Sequence, residues 1–400
     1  MQPPKDDDFH VTTDNTPDTD TTADGTATMT PAQLAEAKAY GRISLQCDLV
    51  DRALDVGFLT LMALVLAGPV HEWLSRFAIL AGDQPLAMTL RLAAMFLVTI
   101  GLHLCVSFPL SFYSGHLLEH HFGLSTQSLA GWLKRYLKRN ALAVVFGALM
   151  FVGLYWIIWL TGSSWWLLAA VAFFGVSILL GQLTPVLILP LFYKIERLED
   201  EEISRRMQRI SEGTGLAIEG VYRMEMSSET VKANAMLAGL GRTQRVLMGD
   251  TLLADFSHDE IEVIFAHEIG HHVHHHIRKM IVLGAVYSTA GFWVCDRLLS
   301  MRVADYDHHP LPIETLPLLM LTLSVFSMLL EPLQNMVSRH FERQADRYAL
   351  DRTKLHKAYT SAFRKLAVLN KDDPDPNAVE VFLFHSHPPI SERLAMAEAP

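Results

Sequence analysis

The sequence predicts a predominantly α-helical protein, a bundle of about six transmembrane spans with a small α+β unit on its cytoplasmic side. Half of the 400 residues are apolar, and charged residues make up only 19%, below the quarter that is typical of soluble domains. The mean hydropathy is +0.22. Several apolar runs approach the ~20 residues that a helix needs to cross a bilayer. Together these observations indicate an integral membrane protein.

The first segment, residues 1–35, differs from the rest of the chain. It is an acidic stretch rich in Thr and Asp, with almost no large apolar side chains. Such a segment buries too little apolar surface to offset the entropy of ordering it. We therefore predict a disordered N-terminal tail. Much of the net charge of −10 comes from this tail. No large basic patch with interleaved aromatics is present in the sequence, so we expect no nucleic-acid partner.

Six later segments have the composition of membrane spans. They are residues 56–74, 92–110, 141–160, 165–192, 280–295 and 316–330, of which the last two are short. The first four make a transmembrane region over residues 36–193, and the last two a second region over 280–336. The lipid bilayer is thus a predicted partner of the chain.

The orientation follows from the loops. The segment near residues 111–140 carries Lys134, Arg135, Lys138 and Arg139, whereas the loop before it carries only Arg76. Because cytoplasmic loops are enriched in Lys and Arg, we place the basic loop and the N-terminus in the cytoplasm. With six spans, residues 194–279 and 337–400 then lie on the same side.

Residues 194–279 have the pattern of a small α+β unit. A charged helical pattern covers residues 194–213, and short strands are predicted over residues 221–226 and 245–248. Between the strands stands Asn234-Ala235, followed by Gly239. We interpret this unit as the part of the chain that carries the chemistry.

The central motif is His267-Glu268-Ile269-Gly270-His271. Residues four apart lie on one face of an α-helix, so His267 and His271 can point two imidazoles at one metal ion. Glu268 then stands where it can take a proton from an activated water. The helix is supported by Ser257 and Glu260, which have the spacing of a capping box.

A catalytic zinc usually has three protein ligands, and two sources compete for the third. One is the histidine run at positions 272, 274, 275 and 276; the other is Glu342, after the sixth span. His275 lies roughly 12 Å along the helix from His267, too far for one ion on a straight helix. Geometry therefore favours Glu342, with Asp346 one turn later orienting a ligand histidine. The histidine run is then expected to be a solvated surface segment.

Several segments together resemble one known family. They are residues 112–115 (Phe-Tyr-Ser-Gly), 122–125 (Phe-Gly-Leu-Ser), 189–194 (Leu-Pro-Leu-Phe-Tyr-Lys), 234–235, 245–253 and 386–393 (Ser-His-Pro-Pro-Ile-Ser-Glu-Arg), besides the central motif. In these segments the chain resembles the integral-membrane zinc metallopeptidases that include the type I CAAX prenyl endopeptidase and the related heat-shock membrane protease.

This resemblance implies a gluzincin-like peptidase unit and hydrolysis of peptide bonds. One zinc ion per chain would be held by His267, His271 and Glu342, with Asp346 behind them and Glu268 as general base. The substrate would be a protein or peptide, cleaved near its C-terminus in the manner of a prenylated CAAX protein, or a membrane peptide.

The resemblance also assigns residues to the substrate. His387 would stabilise the tetrahedral intermediate, and Arg393 would hold either that intermediate or the substrate. The strand at Asn234-Ala235 would pair with the substrate backbone. The protein would be multi-pass, in the cell inner membrane of a prokaryote or the endoplasmic reticulum of a eukaryote. No oligomeric state is predicted.

Two alternatives belong to other classes of protein. A divalent-cation transporter would explain the histidine run beside a membrane segment, although transporters place their ligands near the midplane and often have repeats. The other alternative is a catalytically inactive, zinc-stabilised scaffold. The presence of Glu268, the residue needed as general base, argues against it. The zinc peptidase remains the leading prediction.

Overall fold

A computed structural model of the protein describes residues 29–216, 218–239, 244–303 and 311–398. Of the predicted tail over residues 1–35, residues 1–28 lie outside these ranges. Its last five residues are helical, which corrects that boundary: the first helix begins at Pro31. Thr30 and Gln33 form a capping box there, and proline at the first helical position has a backbone angle that suits a helix.

The described residues are mostly helical. The helices of the first half are α1 (Pro31–Leu61), α2 (Ala67–Ser75), α3 (Pro85–Phe112), α4 (Glu119–His121), α5 (Leu129–Thr161), α6 (Trp165–Leu183) and α7 (Leu189–Phe192). Those of the second half are α8 (Glu201–Ser211), α9 (Asp250–Asp255), α10 (His258–Val273), α11 (His276–Ser300), α12 (Leu316–Thr353), α13 (His356–Asn370), α14 (Ala378–Phe384) and α15 (Ile390–Glu398). Short π-helical segments join α1 to α2, α3 to α4 and α6 to α7.

Four helical stretches among the described residues are long and apolar enough to cross a membrane. They are Pro31–Ser75, Pro85–His121, Leu129–Phe192 and Ile313–Thr353. The third stretch contains α5, α6 and α7. Gly162, which has φ 54°, ends α5 within it. The predicted fifth span lies in α11, which packs against α6 but is not among the four apolar stretches. The count of six is therefore not confirmed, while the predominantly helical architecture with several candidate spans is.

The helix that contains the sixth predicted span does not end at Leu330. Helix α12 continues to Thr353 and carries the polar residues that follow the apolar segment. Hydropathy falls after Leu330, but the helix keeps burying side chains, Ala345 and Ala349 among them, against its neighbours. One continuous helix thus carries the sixth predicted span and, further along, Glu342 and Asp346.

A four-stranded sheet lies beside these helices. Its strands are β1 (Ile195–Arg197), β2 (Ile218–Met224), β3 (Ala235–Ala238) and β4 (Gln244–Gly249), in the order β1-β2-β4-β3. The two predicted strands, β2 and β4, are confirmed and pair in parallel. The predicted helix over residues 194–213 is wrong in its first part: β1 pairs antiparallel with β2, and the helix begins only at Glu201.

Helix α10 lies between this sheet and α12. Phe265 and Ile269 face the core that the sheet shares with α8 and α13. On the other side, α10 crosses α12 at Gly270. The two helices are so close there that a Cβ added to Gly270 would lie 2.8 Å from Ala345 Cα. The backbones of the two helices are therefore nearly in contact where the candidate ligands stand.

Candidate metal centre

Helix α10 presents the central motif as the sequence predicts. The Ser257 hydroxyl accepts a hydrogen bond from the Glu260 backbone N–H, and the Glu260 side chain bonds back to Ser257. This capping box sets where the helix begins and therefore which face its later residues share. His267 and His271 lie one turn apart on that face, with ring centroids 4.9 Å apart.

Glu342 of α12 completes a group of three possible ligands. One atom from each of His267, His271 and Glu342 lies within 4.8 Å of the others. The two histidine Nε2 atoms are 3.2 Å apart; Glu342 Oε2 is 3.2 Å from His267 Nε2, and Glu342 Oε1 is 3.3 Å from His271 Nε2. Two ligand atoms of a tetrahedral zinc ion, each about 2.0–2.1 Å from it, lie about 3.3 Å apart. The three residues thus fit a zinc ion.

Glu342 also has a carboxylate oxygen that a metal ion would satisfy. Its Oε2 atom is buried and has no hydrogen-bond partner among the described residues. A buried carboxylate oxygen is costly unless it is paired with a charge or coordinates a metal, and here rings and a guanidinium of the site lie near it, such as His267 at 3.2 Å and Arg393 at 4.0 Å. The chemistry of this donor set, two imidazoles and a carboxylate, is one that zinc binds in enzymes.

His267 is oriented from behind by α12. Its Nδ1 atom lies 2.8 Å from Asp346 Oδ1, which leaves Nε2 to face the other ligands. Burial disfavours the charged ring, but the Asp346 carboxylate outweighs burial and raises the pKa of His267 to about 10. A metal ion requires the neutral ring, so binding displaces a proton here. Asp346 is fully buried, as the predicted position behind the ligands requires.

Arg393 of α15 holds Asp346 in turn. Its guanidinium donates to both Asp346 oxygens at 2.6 and 3.0 Å and stacks over the Phe363 ring at 3.8 Å. Arg393 is 7% exposed and lies 4.0 Å from Glu342. The structure therefore places Arg393 beneath the ligands, although it was predicted to hold the intermediate or the substrate.

Glu268 faces both the ligands and the sheet. It is half-buried, and its Oε2 atom accepts a hydrogen bond of 3.2 Å from the Leu237 backbone N–H. Leu237 belongs to β3, the edge strand, so this N–H points away from β4 and toward α10. The outer edge of β3 thus borders the candidate site.

The predicted strand residues lie at the start of this edge. The Asn234 carbonyl accepts from the Gly249 backbone N–H, so it is used within the sheet, and Ala235 is the first residue of β3. Both residues line a cleft of about 600 Å³ together with His267, Glu268 and Glu342. Sequence analysis did not single out Leu237; the alternating direction of N–H groups along a strand is the signal that would have found it.

His387 lies across the cleft from β3, in the loop before α15. Its Nε2 atom is 3.7 Å from Glu342 Oε2, and its side chain is 63% exposed. The Ser386 hydroxyl is 3.0 Å from its other ring nitrogen. The ring therefore stands at the mouth of the site, close to the ligands but not enclosed by them.

The histidine run is not a uniformly solvated segment, which corrects that expectation. His276 is 3% exposed and stacks on Phe341 of α12, with ring centroids 4.2 Å apart. Its Nδ1 atom lies 3.0 Å from His271 Nδ1. His275, in contrast, is exposed, and its backbone is left-handed at φ 56°. This turn ends α10 and brings His276 back under His271.

Comparison with known proteins accounts for nearly the whole chain. Residues 197–400 match the model of peptidase family M48, and residues 16–194 match that of the CAAX prenyl protease N-terminal region, described as five membrane helices. The chain belongs to peptidase family M48. Membership of M48 implies a catalytic metal ion, typically zinc, and the chain is accordingly a zinc metalloprotease embedded in a membrane.

Individual relatives agree with this assignment to M48. The chain is 28% identical over 384 residues to the uncharacterized metalloprotease YhfN of Bacillus subtilis, covering 94% of this chain and 88% of that protein. It is 27% identical over 314 residues to CAAX prenyl protease 1 of Saccharomyces cerevisiae, covering 72% and 68%. The crystal structure of S. mikatae Ste24p matches with a TM-score of 0.80 at 21% identity, over 93% of this chain and 90% of that one, which shows the same fold.

Proposed function

We propose that this M48 peptidase is a zinc-dependent endopeptidase whose active centre is formed by His267, His271, Glu342 and Glu268. The observation that carries the proposal is the set of distances between the three candidate ligands, 3.2, 3.2 and 3.3 Å, which suit the ligand atoms of one tetrahedral zinc ion. One ion per chain is expected. When bound, zinc supplies a Lewis acid that lowers the pKa of a water ligand to about 7 and polarises the scissile carbonyl.

Glu268 is the general base in this proposal. Its carboxylate follows directly after His267 on α10 and borders the cleft, so it can accept a proton from the attacking water and return it to the leaving amine. The Leu237 N–H bonds to the Glu268 carboxylate from the side of the sheet and limits its rotation. Asp346 and Arg393 are positioning residues, since they contact His267 and each other.

The substrate is expected to lie along β3. The backbone groups of Ala235 and the Leu237 carbonyl point to the outer edge of the sheet, where an extended peptide can add a strand, while the Leu237 N–H stays with Glu268. Asn234 lines the cleft beside them. His387, opposite, is placed to donate a hydrogen bond to the oxyanion that develops on the scissile carbonyl. Backbone pairing of this kind recognises extended chains largely irrespective of their side chains.

The cellular setting is also a proposal. The basic residues of the predicted loop lie in the first turns of α5. Their charge supports a centre on the cytoplasmic side, in the inner membrane of a prokaryote or the endoplasmic reticulum of a eukaryote. Several relatives are named CAAX prenyl protease 1, so the C-terminus of a prenylated protein is one candidate substrate. An unmodified membrane peptide is the other.

The test compares a farnesylated CAAX peptide with the same peptide lacking the farnesyl group and with a membrane-protein fragment. Wild type, Glu268→Gln and the exposed control Glu201→Gln are assayed in detergent, and bound zinc is counted by mass spectrometry. Glu268→Gln should retain one zinc per chain and lose about 10²–10⁴-fold in kcat, as expected when a general base is removed. Glu201→Gln should match wild type.

Other outcomes would favour the two alternatives. Zinc at one per chain without cleavage of any peptide would favour the inactive scaffold. Zinc flux into liposomes that carry the protein, without cleavage, would favour the transporter. Family membership supports neither of these alternatives.

A further inference from the structure

The site leaves one buried histidine without a role. His276 begins α11, has 3% of its surface exposed, and is stacked between Phe341 and His274, with interplanar angles of 12° and 18°. In a continuous helix it would point about 140° away from His271, because five residues turn 500°. The left-handed backbone of His275 interrupts the helix and directs His276 toward His271.

The hydrogen bonds of His276 indicate which of its ring nitrogens carries the proton. Its Nε2 atom lies 2.8 Å from the Gln344 side-chain oxygen, which can only accept, so Nε2 carries the proton. With the proton on Nε2, the Nδ1 atom of His276 is the acceptor, and it lies 3.0 Å from His271 Nδ1. His271 therefore donates from Nδ1 and keeps the lone pair of Nε2, the nitrogen that faces His267 and Glu342.

We propose that His276 is the positioning residue of His271: with Gln344, it fixes the tautomer and the ring plane in which His271 offers Nε2 to the metal. This inference rests on the proposed metal centre. The two histidine ligands are thus oriented differently, His267 by the buried carboxylate of Asp346 and His271 by the imidazole of His276. A second hydrogen-bond partner of this kind commonly changes metal affinity 10- to 100-fold.

The experiment measures zinc affinity by competition with a chelator. His276→Phe keeps an aromatic ring on Phe341 but removes the acceptor, whereas His276→Asn keeps an acceptor where Nδ1 stands. We expect about 10- to 100-fold weaker zinc binding for the Phe variant and recovery to within about threefold of wild type for the Asn variant. The matched control His272→Asn removes a histidine of the same run whose ring has no described hydrogen bond or ring contact with His271, and it should bind zinc as wild type does.

A second measurement separates orientation from folding. With Co²⁺ in place of zinc, the visible spectrum should shift in His276→Phe and return in His276→Asn, since it reports the ligand geometry. If the Phe variant does not fold, Gln344→Met removes the acceptor that fixes the His276 tautomer, together with the contact of the Gln344 amide with the exposed His340, and about tenfold weaker zinc binding is expected.

The results that overturn the proposal are distinct from those that overturn the proposed function. Wild-type affinity in His276→Phe or in Gln344→Met, or an Asn variant as weak as the Phe variant, excludes the positioning role. Failure of wild type itself to bind zinc excludes the metal centre, and with it the function proposed above.

Discussion

The crossing of α10 and α12 predicts that Gly270→Ala weakens metal binding although it removes no ligand. A Cβ at position 270 would lie 2.8 Å from Ala345 Cα and 3.1 Å from the Ala345 carbonyl oxygen. Both are backbone atoms, which a rotamer change cannot move. Ordinary contacts begin near 3.4 Å, so the two helices must separate by several tenths of an ångström.

The magnitude follows from what the crossing holds together. Helix α10 carries His267 and His271, and α12 carries Glu342, while metal ligands tolerate only about 0.2 Å of displacement. Overpacking typically costs about 1–3 kcal/mol. If most of that cost is relieved when the metal is released, zinc affinity falls by about 5- to 150-fold, since 1.4 kcal/mol corresponds to a factor of ten.

The assay measures zinc affinity and melting temperature for Gly270→Ala and for Gly153→Ala. Gly153 lies in α5 with nothing within 4 Å of the added Cβ, so its substitution should leave zinc affinity unchanged. Adding Ala345→Gly to Gly270→Ala should not restore affinity, because the Cα and carbonyl of residue 345 remain. Wild-type affinity in Gly270→Ala, or full rescue by Ala345→Gly, would refute the backbone contact.

Three further predictions concern the surroundings of the site. Asp346→Asn should weaken zinc binding by about 10- to 100-fold, and adding Arg393→Met should restore part of the lost melting temperature but not the affinity, since it removes an unpaired buried charge; equal recovery of both would contradict an orienting role for Asp346. His275→Val should lower the apparent melting temperature by about 2–4 °C, because a β-branched residue is strained at φ 56°, and His275→Gly should not. Glu260 is buried, which raises its pKa, but Lys365, Ser361 and the Ser257 N–H outweigh burial and lower it; its stabilisation is therefore present above about pH 4.3 and lost as the pH falls through the lowered value. The difference in melting temperature between wild type and Glu260→Gln should shrink below about pH 4, and a constant difference would argue against this pKa shift.

Local signals in the sequence predicted much of this protein. Helix α10, its capping box and the shared face of His267 and His271 follow from hydrogen bonds and spacing within some fifteen residues. The apolar runs predicted helices that can cross a membrane, because burying a hydrophobic segment in lipid requires little help from the rest of the chain. Glu342 was favoured by exclusion, since a straight α10 cannot bring a third histidine to the same ion, and the structure places it beside the other two.

Boundaries set by distant contacts were predicted less well. Helix α12 continues past Leu330 because its polar half packs on α10, and residues 195–197 become a strand because β2 offers an edge to pair with. Neither partner is near in sequence. Hydropathy alone therefore did not show that the sixth span and the ligand-bearing segment form one helix, and helical pattern alone began α8 too soon.

The sequence by itself thus determined the kind of protein and the identity of the candidate ligands, since both depend on composition and on short spacings. Tertiary structure decided which groups orient those ligands. His276 comes under His271 only through a left-handed residue that is not glycine, and Arg393 reaches Asp346 from a helix 47 residues later. Such contacts depend on how separate helices cross, and a crossing is determined by the packing of side chains that are far apart in the chain.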